Sequence, residues 1–206
     1  MTKPTIVLVH GAFADAGSWA PVTRQLLDRG YQVRVPAGYN RDLLGDSASV
    51  RAFVEQIDGP VVLAGHSYGG AVITIAGAAD NVVGLVYVAG YVLDEGETLN
   101  QLQGRYPESP LAPHLVFTPY PLGDATGTDV SVEIAAFADL FAIGVDASTA
   151  EIFSVSQRPL SASVFDVAAP VAAWKTKPSW GTSAGPTAPS TPTSSGLATS
   201  GAGFAA

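Results

Sequence analysis

The chain has 206 residues, 47% of them hydrophobic, with no cysteine and a formal net charge of -8. That length and apolar content fit one domain with a buried core and exclude disorder along the full length. The absent thiols exclude disulfides, thiolate zinc sites and cysteine nucleophiles, and 10 Lys and Arg against 18 Asp and Glu argue against a nucleic-acid surface.

The first apolar run, Thr5-Ile6-Val7-Leu8-Val9, is rich in β-branched residues and predicts a strand covered on both faces in a parallel sheet. It ends at His10-Gly11. Ser18 is the expected cap of a helix with Pro21 in its first turn, burying Trp19, Val22 and Leu26 and stopping at Gly30. Tyr31 to Val35 reads as a second strand. A helix opened by Ser47 or Ser49 then runs through Val50, Phe53, Val54 and Ile57. The runs Pro60 to Ala64 and Val82 to Val88 are two further strands, with a helix over Ala71 to Ala76 between them. Alternation of this kind predicts an open parallel sheet wound by right-handed crossovers.

Between the third strand and its helix lies Gly65-His66-Ser67-Tyr68-Gly69, followed by Gly70. A Gly-x-Ser-x-Gly turn there has the form of a nucleophile elbow, in which the glycines allow a sharp turn and the serine hydroxyl stands above the sheet edge. From about Asp94 the sequence becomes polar and Pro-punctuated. Helices are expected over Val132 to Val145 and from a capping box at Ser148-Thr149-Ala150-Glu151, so the block at about 95–165 reads as a small helical cap over the strand C-termini. The chain returns to the core near Val171 to Trp174, with a new strand at Lys177-Pro178-Ser179-Trp180.

Several segments share one likeness: Val7 to Phe13, Gly17-Ser18-Trp19, the elbow, Tyr87-Val88-Ala89 leading to Asp94-Glu95-Gly96-Glu97, Ser156-Gln157-Arg158-Pro159, and Trp174 to Trp180. Together they resemble the small bacterial α/β-hydrolases related to plant methylesterases and hydroxynitrile lyases. The resemblance implies the α/β-hydrolase fold, a mostly parallel sheet flanked by helices, with the C-terminal strands incomplete, over residues 1–180. It also implies a serine carboxylesterase acting on a small ester through an acyl-enzyme on Ser67, with the backbone N–H groups of Ala12 and Tyr68 as oxyanion hole. Gly11 stands where the lyases carry threonine, and their late lysine has no counterpart, so hydrolysis ranks above lyase chemistry.

The same resemblance places a triad acid just after the last strand and a histidine further on. In their place stands residues 181–206, uncharged and built from Gly, Ala, Ser, Thr and Pro apart from Leu197 and Phe204, and no histidine follows His114. A serine hydroxyl is a poor nucleophile without a base. His10 belongs to the oxyanion-loop strand end, His66 is expected to point away from Ser67, and His114 sits in the cap as a possible substitute base. Asp94 could orient a histidine, although Asp-Glu-Gly-Glu reads first as a solvated turn. The alternative reading is therefore a catalytically impaired or inactive member lacking the triad Asp and His.

Such a tail is expected to be disordered. Read one base out of frame, Pro186 through Gly196 permit Asp-Arg-Ala-Ile-Asn-Pro-Asp-Leu-Gln-Arg, which resembles the acid loop and following helix of the family. The corresponding hypothesis is a single-base insertion or deletion near the Trp180 and Gly181 codons, which resequencing tests. Loss of the last strands is expected to bare the fourth strand's edge and an apolar sheet face, lowering solubility. No apolar stretch of about 18 to 20 residues and no basic leader occur, so a cytoplasmic location without membrane association is expected. The expected partner is a small-molecule ester, with no nucleic acid, and neither metal nor organic cofactor is implied.

Overall fold

The structure, a computed structural model, describes residues 3–182. Gly181 and Thr182, expected to open the disordered tail, instead extend the last strand by pairing beside Tyr87 and Val88, and the expectations for residues 183–206, disorder and shifted frame, lie outside the described residues.

Strand β1 (Thr5–Val9) forms where β-branched side chains can be buried on alternate faces of a pleated strand. Val7 and Val9 face the larger core, whereas Ile6 and Leu8 face a smaller cluster with Trp19. β1 pairs in parallel with β2 (Val33–Arg34) on one side and β3 (Val61–His66) on the other. β3 pairs with β4 (Val82–Val88), and β4 with β8 (Ser179–Thr182), giving the order β2-β1-β3-β4-β8. The fourth strand's edge is thus not bare as anticipated: β8 covers it from Leu85 to Val88. Trp180 lies over Gly84 and is 49% exposed.

Helices α2 (Leu43–Glu55) and α3 (Tyr68–Ala76) cover the larger core, burying Leu43, Val50, Val54, Val72 and Ile73 against Leu63 and Leu85. The start of α2 is earlier than the serines suggested. Asp42 caps it by accepting the Gly45 N–H, while the Ser47 hydroxyl donates inside the helix to the Leu43 carbonyl. On the opposite face, α1 (Ala20–Asp28) follows a 3-10 turn over Ala16–Trp19 that Asp15, not Ser18, caps. Trp19 is buried as expected, but Val22 is 40% exposed.

Between β4 and β8 the chain builds α4 (Leu99–Gln103), α5 (Ile134–Leu140) and α6 (Ala147–Val155). It also builds an antiparallel sheet, β5-β6-β7, from Leu115–Leu122, Ala125–Val132 and Leu160–Ser161. The expected helix over Val132 to Val145 is therefore shorter, because β6 occupies its start. Pro119 and Pro121 read as breakers in sequence, yet both sit on β5, an edge strand that needs N–H groups on only one side. The two-residue Gly123-Asp124 link, with Gly123 at φ 59°, closes the hairpin.

Candidate active site

Ser67 sits at the C-terminal end of β3 with φ 50° and ψ -120°, a conformation rarely adopted by residues with a side chain. Its backbone is held from three sides: its N–H donates to the Val88 carbonyl at 3.3 Å, and its carbonyl accepts from Gly70 at 2.9 Å and Tyr91 at 3.1 Å. Glycines make the close crossing possible. A Cβ on Gly65 would lie 2.6 Å from the Gly69 carbonyl carbon and 2.8 Å from the Gly70 nitrogen, and one on Gly69 would fall on the carbonyl oxygens of Val9 and His10. Backbone leaves no room for either, so both positions require glycine.

The elbow brings Ser67 beside the loop after β1. A Cβ on Gly11 would lie 2.9 Å from Ser67 Cβ, which measures how closely the two segments approach. Ala12 and Tyr68 are both buried, and neither backbone N–H donates to another described residue. Tyr68 is the first residue of α3, so its free N–H lies at the positive end of the helix dipole. The next residue along the loop, Phe13, has φ 62° and donates its N–H to the Arg158 carbonyl at 3.1 Å, joining this loop to the cap.

Among the described residues the Ser67 hydroxyl has no hydrogen-bond partner, and the histidines have other engagements. His10 is buried; its Nε2 accepts the Gly38 N–H at 2.9 Å, which places the proton on Nδ1, 2.9 Å from the Gly11 carbonyl oxygen. Burial, more than any neighbouring charge, pushes its pKa below the usual 6.5. His66 stacks edge-to-face on Trp19, with ring centres 6.5 Å apart, and burial and then the adjacent His10 lower its pKa. It makes no hydrogen bond to Ser67. His114 Nδ1 lies 2.8 Å from Glu133 Oε2 at the foot of the β5–β6 hairpin. Asp94 is paired with Lys175, which holds its carboxyl below its usual range, and it accepts the Glu95 N–H as a turn residue does.

A pocket of about 270 Å³ opens beside His66 of the elbow, at the carboxyl edge of the sheet, while Ser67, Ala12 and Tyr68 themselves do not line it. Its walls come from the loop after β1 (Phe13, Trp19), the end of β3 (His66) and the cap (Phe137, Phe141, Phe153). Phe141 packs edge-on against Phe13 at 5.6 Å and tilted on Phe137 at 4.8 Å, forming an aromatic wall. Neither Lys nor Arg lines it, and Asp15 is its carboxylate. The aromatic residues of the cap carried no signal in sequence because they are far along the chain from the elbow. No group of three or more His, Cys, Asp or Glu that could hold a metal occurs among the described residues. Nor is any helix among them long and apolar enough to cross a membrane.

Known proteins agree with this architecture. The chain is 31% identical over 112 residues to a carbendazim hydrolyzing esterase from Nocardioides sp. (strain SG-4G), a match over 47% of this chain and 46% of that protein. The chain thus spans about half the length of that curated relative. Among solved structures, polyneuridine aldehyde esterase superposes with a TM-score of 0.73 at 18% identity, over 87% of this chain and 79% of that one. A methylesterase from Arabidopsis gives 0.69 at 17% identity over 86% and 77%, and a pyrethroid hydrolase from Sphingobium faniae JZ-2 gives 0.63 at 21% over 84% and 75%. At such identities these likenesses establish the shared fold. Residues 6–199 match the profile of the Alpha/beta hydrolase family, and with the elbow geometry at Ser67 this chain belongs to that family.

Proposed function

We propose that this protein is a serine carboxylesterase that cleaves small, uncharged esters through an acyl-enzyme on Ser67. The observation that carries the reading is the strained Ser67 at the elbow, beside two backbone N–H groups, of Ala12 and Tyr68, that have no partner among the described residues. Ser67 Oγ attacks the ester carbonyl carbon, and the oxygen that gains charge is held between those two donors. Each donor of this kind is worth roughly 10²- to 10³-fold in turnover. The serine proton passes to the departing oxygen, which leaves as the alcohol, and water then attacks the acyl-serine, returning a proton to Ser67 Oγ as the acid is released. An aromatic wall without Lys or Arg favours an apolar, uncharged acyl or alcohol group over a carboxylate.

A second reading is favoured by one observation: none of the described residues accepts a proton from Ser67, and residues 183–206 contain no His, Asp or Glu. Such a chain is a catalytically impaired member that binds small ligands in the aromatic pocket. Loss of a triad histidine costs on the order of a millionfold, while oxyanion stabilisation and binding retain roughly a thousandfold over water. Hydrolysis of phenyl acetate by the purified chain and by Ser67→Ala distinguishes the two. A Ser67-dependent rate far above background supports the esterase; equal rates for both proteins support the impaired binder. Cyanohydrin cleavage without ester turnover would turn the reading to lyase chemistry.

A further inference from the structure

The loop between β2 and α2 lies against His10, Asp46 and the cap. Gly38 lies against His10 so closely that a Cβ there would be 2.8 Å from the ring, and its N–H binds His10 Nε2. His10 in turn donates to the carbonyl of Gly11, the residue before Ala12. On its other side the loop meets Asp46. That buried carboxylate accepts the Tyr68 hydroxyl at 2.8 Å, and the backbone N–H groups of Arg41 and Asn40 are near enough to help hold it charged. Burial raises the Asp46 pKa, and the three donors oppose the shift.

The loop also grips the cap. Asn40, buried with φ 58°, accepts the Ser161 N–H at 2.8 Å. Arg41 donates to Asp129 at 2.6 Å and to the Pro159 carbonyl at 2.8 Å, with its guanidinium 5.0 Å from the Tyr120 ring centre. One contiguous set of contacts therefore runs from the cap strands, through residues 38–41, to His10 beside Gly11 and, by way of the start of α2, to Asp46 beneath Tyr68. Nothing in ordinary core packing demands a carboxylate under Tyr68: a Phe-Leu pair would fill the same space without the cost of burying a charge.

We propose that this loop is a positioning element: through His10 and Asp46 it sets the two backbone donors at Ala12 and Tyr68, and through Asn40 and Arg41 it couples them to the cap. The role in catalysis rests on the esterase reading above; the coupling itself does not. Asp46 is a positioning residue, since it touches Tyr68 and not the reacting atoms.

The experiment compares the full chain with Asp46→Leu, Tyr68→Phe, their double variant and Arg41→Met. Two quantities are read: the rate at which a fluorophosphonate ester modifies Ser67, and deuterium uptake by the backbone of segments 8–16, 66–70 and 158–161. Asp46→Leu and Tyr68→Phe are each expected to slow phosphonylation about 10-fold or more, as partial loss of an oxyanion donor would. The double variant should be no slower than the worse single one, because both break one bond. Uptake over 66–70 should rise in both, and Arg41→Met should raise it at 158–161 and 66–70 together. Additive losses, or wild-type phosphonylation and uptake in Asp46→Leu, overturn the proposal. If Asp46→Leu does not fold, Tyr68→Phe carries the same comparison. An unreactive Ser67 in the wild-type chain sinks the esterase reading alone, and unchanged uptake in the variants then still overturns the coupling.

Discussion

Replacing Gly69 by alanine places one methyl group where two chain segments cross. The new Cβ would lie 2.7 Å from the His10 carbonyl oxygen and closer still to that of Val9. This is about 1 Å short of the roughly 3.5 Å at which such a contact becomes favourable. Both obstacles are backbone, so no side chain can swing aside, and the end of β1 must separate from the elbow. Overpacking of this kind costs about 1–3 kcal/mol, and each kcal/mol lowers the melting temperature of a chain this size by about 2–4 °C. The strand that must shift leads directly to Ala12, and a displacement near 1 Å in a reacting constellation costs on the order of 10²-fold. Gly59→Ala is the control: its Cβ meets nothing within 4 Å, so only the strain of φ 88° remains. Calorimetric melts and Ser67 phosphonylation measure both effects. A Gly69→Ala protein that melts within a degree of wild type and reacts at the same rate would refute the steric account of the elbow.

Three further outcomes follow from the same geometry. Acidification from pH 7.5 to 5.5 should lower the melting temperature: His10 and His66 both have pKa values below 6.5 in the folded chain, so the unfolded state binds more protons in that window. His66→Gln should flatten the slope, and a slope unchanged by it would count against burial as the cause; the raised Asp46 pKa acts in the opposite sense, and Asp146, held at about 2 by its bonds to Thr149 and Ser148, contributes only below 3.8. Tyr87→Phe leaves the Thr74 hydroxyl bonded to the Gly70 carbonyl at 2.9 Å, so urea denaturation should show a loss of only about 1 kcal/mol. Thr98→Ala removes one half of a reciprocal cap with Gln101 and should cost about 1 kcal/mol, read as faster exchange over Leu99–Gln103.

The amino-acid sequence by itself determined the strand and helix order of the core, because β-branched runs and glycine punctuation are local signals. It also determined the elbow, whose glycine spacing has one steric meaning wherever a strand turns into a helix. Tertiary structure decided what lies far apart in sequence. The hairpin of the cap was hidden because Pro119 and Pro121 are harmless only on an edge strand, which no local window can identify. The start of α2 moved to Asp42 since several polar residues could have capped it and packing of Leu43 chose among them. Asp46 did not stand out until folding placed the Tyr68 hydroxyl against it, and His10 became a strut only when Gly38 arrived at its Nε2. The sequence names Ser67; the contact of the loop at 38–41 with His10 and the aromatic wall of Phe13, Phe137 and Phe141 beside the elbow exist only once folding has brought these distant segments together.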